Sequence, residues 1–333
     1  MAASAPKLSV IIVTRDRPDA LAMTLDSLRV RADEARFEVV VVANGSGEQT
    51  RRMLATVSEP AVRVVETEQV CLSRARNIGL AAASAPVILF LNDDNPVPAG
   101  TISDHARFHR ERAEREALVF GDVRGDAASR TSPFMRWLED ESRIRWDPDF
   151  DGAGEVPAHN FRGGNTSVKA EFVRAAGGFD ERLEFGCDDI ELGWRLERLG
   201  ARAFYDPALV VAHHHPSTLE QMVARLRNDG RARRLLCEWH PQVELPRRPG
   251  LRHRVKAGTL NALLAGGLRA KPVLHETWRF LCHEAYREAC WGEPDAGPPH
   301  VRIGAALARR AYRDDEGQGT VQASSTSSLS ASP

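Results

Sequence analysis

Three apolar runs near the start constrain the fold more than anything else in the chain: LSVIIV at 8–13, FEVVVVAN at 37–44 and PVILFL at 86–91. None of them alternates apolar with polar residues. A strand with one wet face would alternate, so these runs predict strands buried on both faces. Segments with apolar residues at helical spacing lie between them: PDALAMTLDSLRV (18–30), GEQTRRMLATV (47–57) and RARNIGLAAAS (74–84), with a further short strand VRVVE at 62–66. Strand and helix in turn predict an α/β fold, a mostly parallel central sheet covered by helices on both sides. Ligands of such sheets gather at the carboxyl ends of the strands. Those ends read Thr14-Arg15-Asp16, Asn44-Gly45-Ser46 and Asn92-Asp93-Asp94-Asn95, which places three polar turns along one edge. Two adjacent carboxylates converging there repel unless something positive sits between them.

Downstream, TISDHARFHRERAEREAL (101–118) reads as a charged helix and LVFGDVRG (118–125) as a strand. FMRWLEDES (134–142) reads as a helix and WDPDFDGAGEVP (146–157) as a loop. GGNTSV (163–168) and VVAH (210–213) are short strands on either side of the helix DDIELGWRLERLG (188–200), which opens on acids and closes on Gly200. Beyond Pro216 the pattern is helical: 217–239 with Ser217 as its cap, then stretches near 255–270, 273–290 and 299–313. The last residues, 314–333, have almost no apolar content and predict disorder.

A formal net charge of -1 leaves no electrostatic footprint for a nucleic-acid partner. Five scattered cysteines without a CxxC pair indicate neither a disulfide framework nor a thiolate zinc site. The opening MAASAPKLSVIIVT is too short and too soon interrupted for a signal peptide or a membrane span. A cytoplasmic location is therefore the expectation, with peripheral contact to a membrane kept open.

The strings LSVIIVTRDRPDAL, VVVVANGSG, RARNIGL, FLNDDN, GGNTSVKAEFVRAAGGFDERL, IELGWRLERLG and FYDPALVVAH follow one another in order. Together they resemble the inverting family 2 glycosyltransferases of the GT-A fold, over roughly residues 8–240. The resemblance implies a GT-A domain over 1–240, with a nucleotide-sugar half to about 125 and an acceptor half over 126–240. A helical extension (241–313) and the tail (314–333) would follow. The extension could cover the acceptor, form a homodimer contact or touch a membrane, the last ranked lowest because its helices lack a long apolar face.

What the resemblance implies for the site is specific. The reaction would move a sugar from a nucleotide-diphosphate donor to an acceptor hydroxyl, with a divalent metal, Mn2+ or Mg2+, held by carboxylate. Asp94 would bind the metal directly and Asp93 the ribose hydroxyls. Asn92 stands where the family's Asp-x-Asp motif has its first acid. Thr14 and Asn44 would read the base, with uridine preferred and deoxythymidine and guanosine open, while Asp16 would approach the ribose or the base. Arg76 would pair with a phosphate. Registering the helix from 188 puts Asp189 at the general-base position, with Asp188 helping to hold the acceptor. His213 would reach the metal or the diphosphate, with His215 as second choice; on a strand both share one face, so His214 points away. Gly164 and Asn165 would approach the sugar or acceptor, and Trp137, Trp146 and Trp194 are candidates for stacking on an acceptor ring, with core packing the expectation for Trp194, which lies on a helix near Leu192 and Leu196. The acceptor could be a saccharide, a lipid-linked saccharide or a small natural product. A different class of function also fits: a nucleotide-sugar-binding protein without catalysis, which Ala43 and Asn92 keep open. A nucleotidyltransferase is disfavoured, since TRDRPDAL offers no glycine-rich phosphate loop.

Overall fold

The computed structural model describes residues 6–29, 36–57, 62–140, 150, 152–248, 251–291, 307–308 and 310–311. The chain divides into two units, one of Met1–Asp126 with Asp147–His215, the other of Ala127–Trp146 with Pro216–Pro333.

The first unit is built on an eight-stranded sheet. Its first half is β1 (Leu8–Thr14), α1 (Pro18–Arg29), β2 (Phe37–Asn44), α2 (Glu48–Ala55), β3 (Val62–Thr67), α3 (Leu72–Ala82), β4 (Val87–Asn92), α4 (Thr101–Glu111) and β5 (Ala117–Gly125). After α5 (Pro133–Asp140), which belongs to the other unit, come β6 (Gly154–Val156), β7 (Asn165–Lys169), α6 (Ala170–Ala175), α7 (Asp188–Arg198) and β8 (Arg202–His213). The strand order is β3-β2-β1-β4-β7-β5-β8-β6.

The unalternated runs are explained by β1. Leu8, Val10 and Ile12 join one buried cluster with Leu21, Leu25 and Leu28 of α1, while Ile11 joins another with Leu80 of α3 and Phe90 of β4. Successive side chains enter different apolar layers, and each fully buried one contributes about 1.5–3 kcal/mol.

The sheet is mostly parallel, as expected: over β3, β2, β1 and β4 and between β5 and β8, with β7 antiparallel to both β4 and β5 and β6 antiparallel to β8. Two details differ from the sequence expectation. The VVAH strand is the end of the twelve-residue β8, whose register against β5 jumps from Asp206 to Val210. Pro207, which has no N–H for the ladder, lies in that bulge. Finally, β6 is a short edge strand where a loop was expected.

The second unit collects α5, α8 (Leu219–Trp239), α9 (Leu251–Ala265) and α10 (Lys271–Trp291). Its core packs Phe134, Trp137 and Trp278, with Leu219, Met222, Leu260 and Leu281 around them. In this division α5 and α8 both fall in the helical unit, which takes in Ala127–Trp146 and Pro216–Pro333. The cap of α8 is Thr218 instead of Ser217: its hydroxyl accepts from Gln221 N–H, and the Gln221 side chain accepts from Thr218 N–H. Trp137 is 1% exposed and packs on Trp278 with ring centroids 5.6 Å apart, so it is a core residue and stacks on no acceptor. Of the expected 299–313 helix only four residues are described, and all four are helical. Trp146 and the 314–333 tail lie outside the described residues. No described helix is long and apolar enough to cross a membrane.

Candidate functional site

The turn after β4 is tied down from three sides. Asn92 N–H donates to Asn95 Oδ1 (3.1 Å), and Asn95 Nδ2 donates to Ala212 C=O on β8 (2.8 Å). His214 N–H donates to Asp94 C=O (2.8 Å) and the Thr24 hydroxyl to Asp93 C=O (2.9 Å). The two acids are thereby fixed against the end of β8, where His213 closes the strand and His214 and His215 follow it. His214 turns away and meets Asp126 at 3.0 Å. His213 and His215 share the other face, their rings stacked 5.3 Å apart and nearly parallel, as strand periodicity requires. Asp94 Oδ2 lies 2.9 Å from His215 Nδ1 and 3.5 Å from His213 Nε2.

These three residues offer ligand atoms within 4.8 Å of one another. Asp94 is 2% exposed, yet its Oδ1 has no hydrogen-bond partner among the described residues. A buried carboxylate oxygen without a partner costs about 1–3 kcal/mol or more, so its persistence calls for a ligand. A carboxylate beside two imidazoles is a donor set that suits a divalent transition metal, and it fits Mn2+ better than Mg2+, which takes oxygen ligands.

Between the two acids sits a residue that the sequence reading did not single out. Arg17 donates to Asp93 Oδ1 and to Asp94 Oδ2, both at 2.7 Å, and its Nη2 is also 2.9 Å from His215 Nδ1. That nitrogen can serve only one neighbour at a time, donating to Asp94 when protonated or accepting from Arg17 when bare. The signal for Arg17 was present: converging acids need a cation, and TRDRP supplies one just past the first strand. Burial by itself raises both acids. In Asp94 the histidine hydrogen bonds and the Arg17 charge outweigh burial and hold the carboxyl far below the usual range. In Asp93 burial wins over Arg17, and the neighbouring Asp94 adds to it, leaving it pushed up to about 6.

A second acid pair opens α7. Asp188 is buried and ion-paired with Arg76, which also lies 5.3 Å over the Phe179 ring. Burial pushes Asp188 up, opposed by Arg76 and reinforced by Asp189. Asp189 is half-buried; its Oδ2 accepts from Gly163 N–H (3.0 Å) and its Oδ1 from Ile190 N–H (2.8 Å). Gly163 and Gly164 link the two acid pairs. A Cβ on Gly163 would run into the Arg76 guanidinium, and one on Gly164 would come within 2.8 Å of Asn92 Nδ2. Among the described residues the only non-glycine residues with positive φ are Asp16, which precedes Arg17, and Cys187, which precedes Asp188. Strained backbone of this kind collects at functional sites.

Several of the expected site residues are engaged by other groups of the protein. Thr14 is buried and donates its hydroxyl to Asp93 (2.8 Å), so it positions an acid where a base contact was expected. Asn44 gives its Nδ2 to Val70 C=O (3.0 Å) and takes Val70 N–H on its Oδ1 (2.8 Å), which spends the amide faces expected to read a base. Asp16 is exposed and accepts from Gly47 N–H at 2.7 Å, ahead of α2. Arg76 and Asp188, expected at a phosphate and at the acceptor, are ion-paired with each other. Asn165, expected near the sugar, is fully buried: its Nδ2 donates to Asp122 and Leu209 carbonyls and its Oδ1 lies 3.0 Å from His105 Nε2. Gly164 is buried against the Asn92 turn. Trp194 stacks on His159 at 4.1 Å.

Residues 9–161 match the family model described as "Glycosyl transferase family 2". The chain is 27% identical over 232 residues to the O-antigen biosynthesis protein RfbC of Myxococcus xanthus, covering 64% of this chain and 18% of that protein. It is 30% identical over 221 residues to the validoxylamine A glucosyltransferase of Streptomyces hygroscopicus subsp. limoneus, covering 59% of this chain and 49% of that one. The chain thus spans half or less of the length of both relatives. Among solved structures, the mannosyltransferase PcManGT from Pyrobaculum calidifontis, in complex with GDP-Man and Mn2+, superposes with a TM-score of 0.52 at 19% identity, over 96% of this chain and 84% of that one. At that identity the likeness is one of fold, a GT-A-like mixed sheet flanked by helices. Over residues 9–161, a little under half of its length, the chain is similar to glycosyl transferase family 2.

Proposed function

We propose that the chain is a metal-dependent glycosyltransferase that moves a sugar from a nucleoside-diphosphate donor to an acceptor hydroxyl with inversion. The observation that carries this is the Asp94–His213–His215 cluster at the end of β4 and β8, with its unsatisfied, buried Asp94 Oδ1. A divalent cation there supplies positive charge to the diphosphate as it leaves. The other groups act as parts of this chain. Arg17, which bridges both acids, is placed to exchange them for donor phosphate oxygens, for which a guanidinium fork is well shaped. Asp93, held by Thr14 and Arg17, is offered to ribose hydroxyls.

Asp189 is the general base. It takes the proton of the acceptor hydroxyl as that oxygen bonds to the anomeric carbon and the carbon–phosphate-oxygen bond breaks on the opposite side. Gly163 and Ile190 N–H groups hold its carboxylate in place, and the Arg76–Asp188 pair anchors the start of its helix. Mn2+ is favoured over Mg2+ because two of the three donors are imidazole nitrogens. With the Asn44 amide engaged by Val70, the argument for uridine falls away and the base is set by experiment. The relatives turn the acceptor reading towards a saccharide or a small natural product, in keeping with O-antigen biosynthesis and validoxylamine A in their names.

The second reading, a nucleotide-sugar-binding protein without transfer, draws on Arg17 seated across both acids and on Asn92 in place of an acid. Calorimetric titration with UDP, GDP and dTDP, each with and without Mn2+, separates the outcomes. Binding of one nucleotide only when Mn2+ is present is expected, followed by transfer from the matching donor in an acceptor screen. No binding of any of them to the folded protein would defeat both readings.

A further inference from the structure

The helical unit contains a cleft of about 300 Å³ between α9 and α10 that has no part in the reaction above. Its walls follow helical spacing. Arg252, His253 and Lys256 occupy neighbouring turns of α9, and Arg279, His283 and Arg287 stand four residues apart along one face of α10. Phe280 and Glu284 complete the lining and are both buried.

The charge of this cleft is not balanced. Glu276 pairs with both Lys256 and Arg279. Arg287 meets the imidazole of His253, a contact that brings no negative charge. Glu284 is the one carboxylate on the wall, and burial pushes it up despite Arg287, which weakens its hold as an anion. Among the described residues four permanent cations therefore face two carboxylates. Arg279 Nε is buried with no hydrogen-bond partner among the described residues. Burial together with the Arg287 and Lys256 charges lowers His253, and burial with Arg287, Arg279 and Lys256 lowers His283. In both, burial leads and the neighbouring cations add to it.

A second observation says where the anion comes from. Leu251 and Val255, each one residue before a cleft cation, are 74% and 62% exposed, and Leu268 just past α9 is 46% exposed. Together they make three of the six exposed large hydrophobics among the described residues. Apolar side chains left in water beside a basic cleft match a lipid surface, where the methyl groups enter the interface and the cations meet headgroup phosphates. A free phosphate ion would make no use of them.

We infer that the cleft between α9 and α10 binds the phosphate of an anionic lipid headgroup, with Leu251 and Val255 entering the membrane interface beside it. This site is separate from the sugar-transfer reading and stands or falls without it.

The test is co-sedimentation of the full chain with phosphatidylcholine vesicles, with and without phosphatidylglycerol, alongside calorimetry with inorganic phosphate. Wild-type protein is expected to pellet only with the phosphatidylglycerol vesicles, and less so as salt is raised. R252Q/R287Q should lose roughly tenfold or more of that affinity. R252Q alone, at an exposed position, keeps the test open should the double variant fold poorly. L251S/V255S should weaken vesicle binding while leaving any phosphate binding unchanged. Failure of the wild type to bind phosphatidylglycerol vesicles, or equal binding by the charge variants, overturns the inference. Saturable binding of inorganic phosphate without vesicle binding also overturns it, assigning the cleft to a soluble anion.

Discussion

The two acid pairs of the sheet unit are built from the same parts and put to opposite uses. Each is Asp-Asp, each lies at an element end, and each has an arginine against it. At the end of β4 the arginine is a third exposed and bridges both acids, and one carboxylate oxygen is left without a partner. At the start of α7 the arginine is buried and engages Asp188. Asp189 is held there by backbone N–H groups. The first arrangement holds a cation that can be exchanged. The second locks one acid so that its neighbour is presented in a fixed orientation. What an acid pair does is decided by how tightly its counter-cation is buried, which the dipeptide itself does not encode.

This contrast can be broken by substitution. The largest effect is expected at Asp189: Asp189→Asn should cut transfer by about 10²- to 10⁴-fold while leaving metal-dependent nucleotide binding intact, as single-turnover kinetics beside calorimetry would show. A loss of nucleotide binding instead would move Asp189 into the donor site. Next is the locked pair. Arg76→Ala strands a buried carboxylate and should cost about 3–5 kcal/mol of stability, read by denaturant unfolding. An unfolding midpoint equal to that of the wild type would mean that the pair carries no structural load.

Arg17→Ala should do something different and smaller. Without its resident cation the first pair should bind Mn2+ roughly 5- to 10-fold more tightly in the absence of nucleotide. With Mn2+ saturating, it should bind the nucleotide more weakly. Effects of one sign in both titrations would reject the exchange.

The smallest effect concerns the scaffold under the site. His105 and His109 are buried around Ser167, at 2.8 and 2.9 Å, and burial brings them down to about 4 and about 3. An unfolded histidine titrates near its ordinary value, so their contribution to stability is complete above about 6.5 and is lost as the pH falls towards 4. Each contributes at most roughly 1.4 kcal/mol per pH unit in that window. His105→Gln should therefore lose less stability than the wild type between neutral pH and pH 5, by thermal unfolding; an equal loss would remove His105 from the acid response.

Much of this was legible in the sequence, for identifiable reasons. The runs at β1, β2 and β4 lack alternation because each lies between two apolar layers, so the parallel half of the sheet could be read directly. The shared face of His213 and His215 follows from strand period alone. Strand direction is a different matter: the five residues of β7 carry nothing that says antiparallel. Nor does the pattern of α8 reveal its partner. Leu219, Met222, Val223 and Leu226 announce a buried face, but not that it packs with Trp278 and Leu281 of α10. Arg17 was missed because its acids lie 76 and 77 positions away. Asn165 was misread because an amide in a Gly-Gly-Asn turn looks available until His105 and Leu209 are seen to occupy it.

The central claim is that Asp94, His213 and His215 form a metal site. Electron paramagnetic resonance of Mn2+ added to the wild-type chain and to Asp94→Asn, with ¹⁵N-labelled histidine in the wild type, tests it most directly. A single bound Mn2+ coupled to histidine nitrogen in the wild type, and lost in Asp94→Asn, is the predicted result. Equal Mn2+ binding in both proteins, or bound Mn2+ without nitrogen coupling, would contradict it.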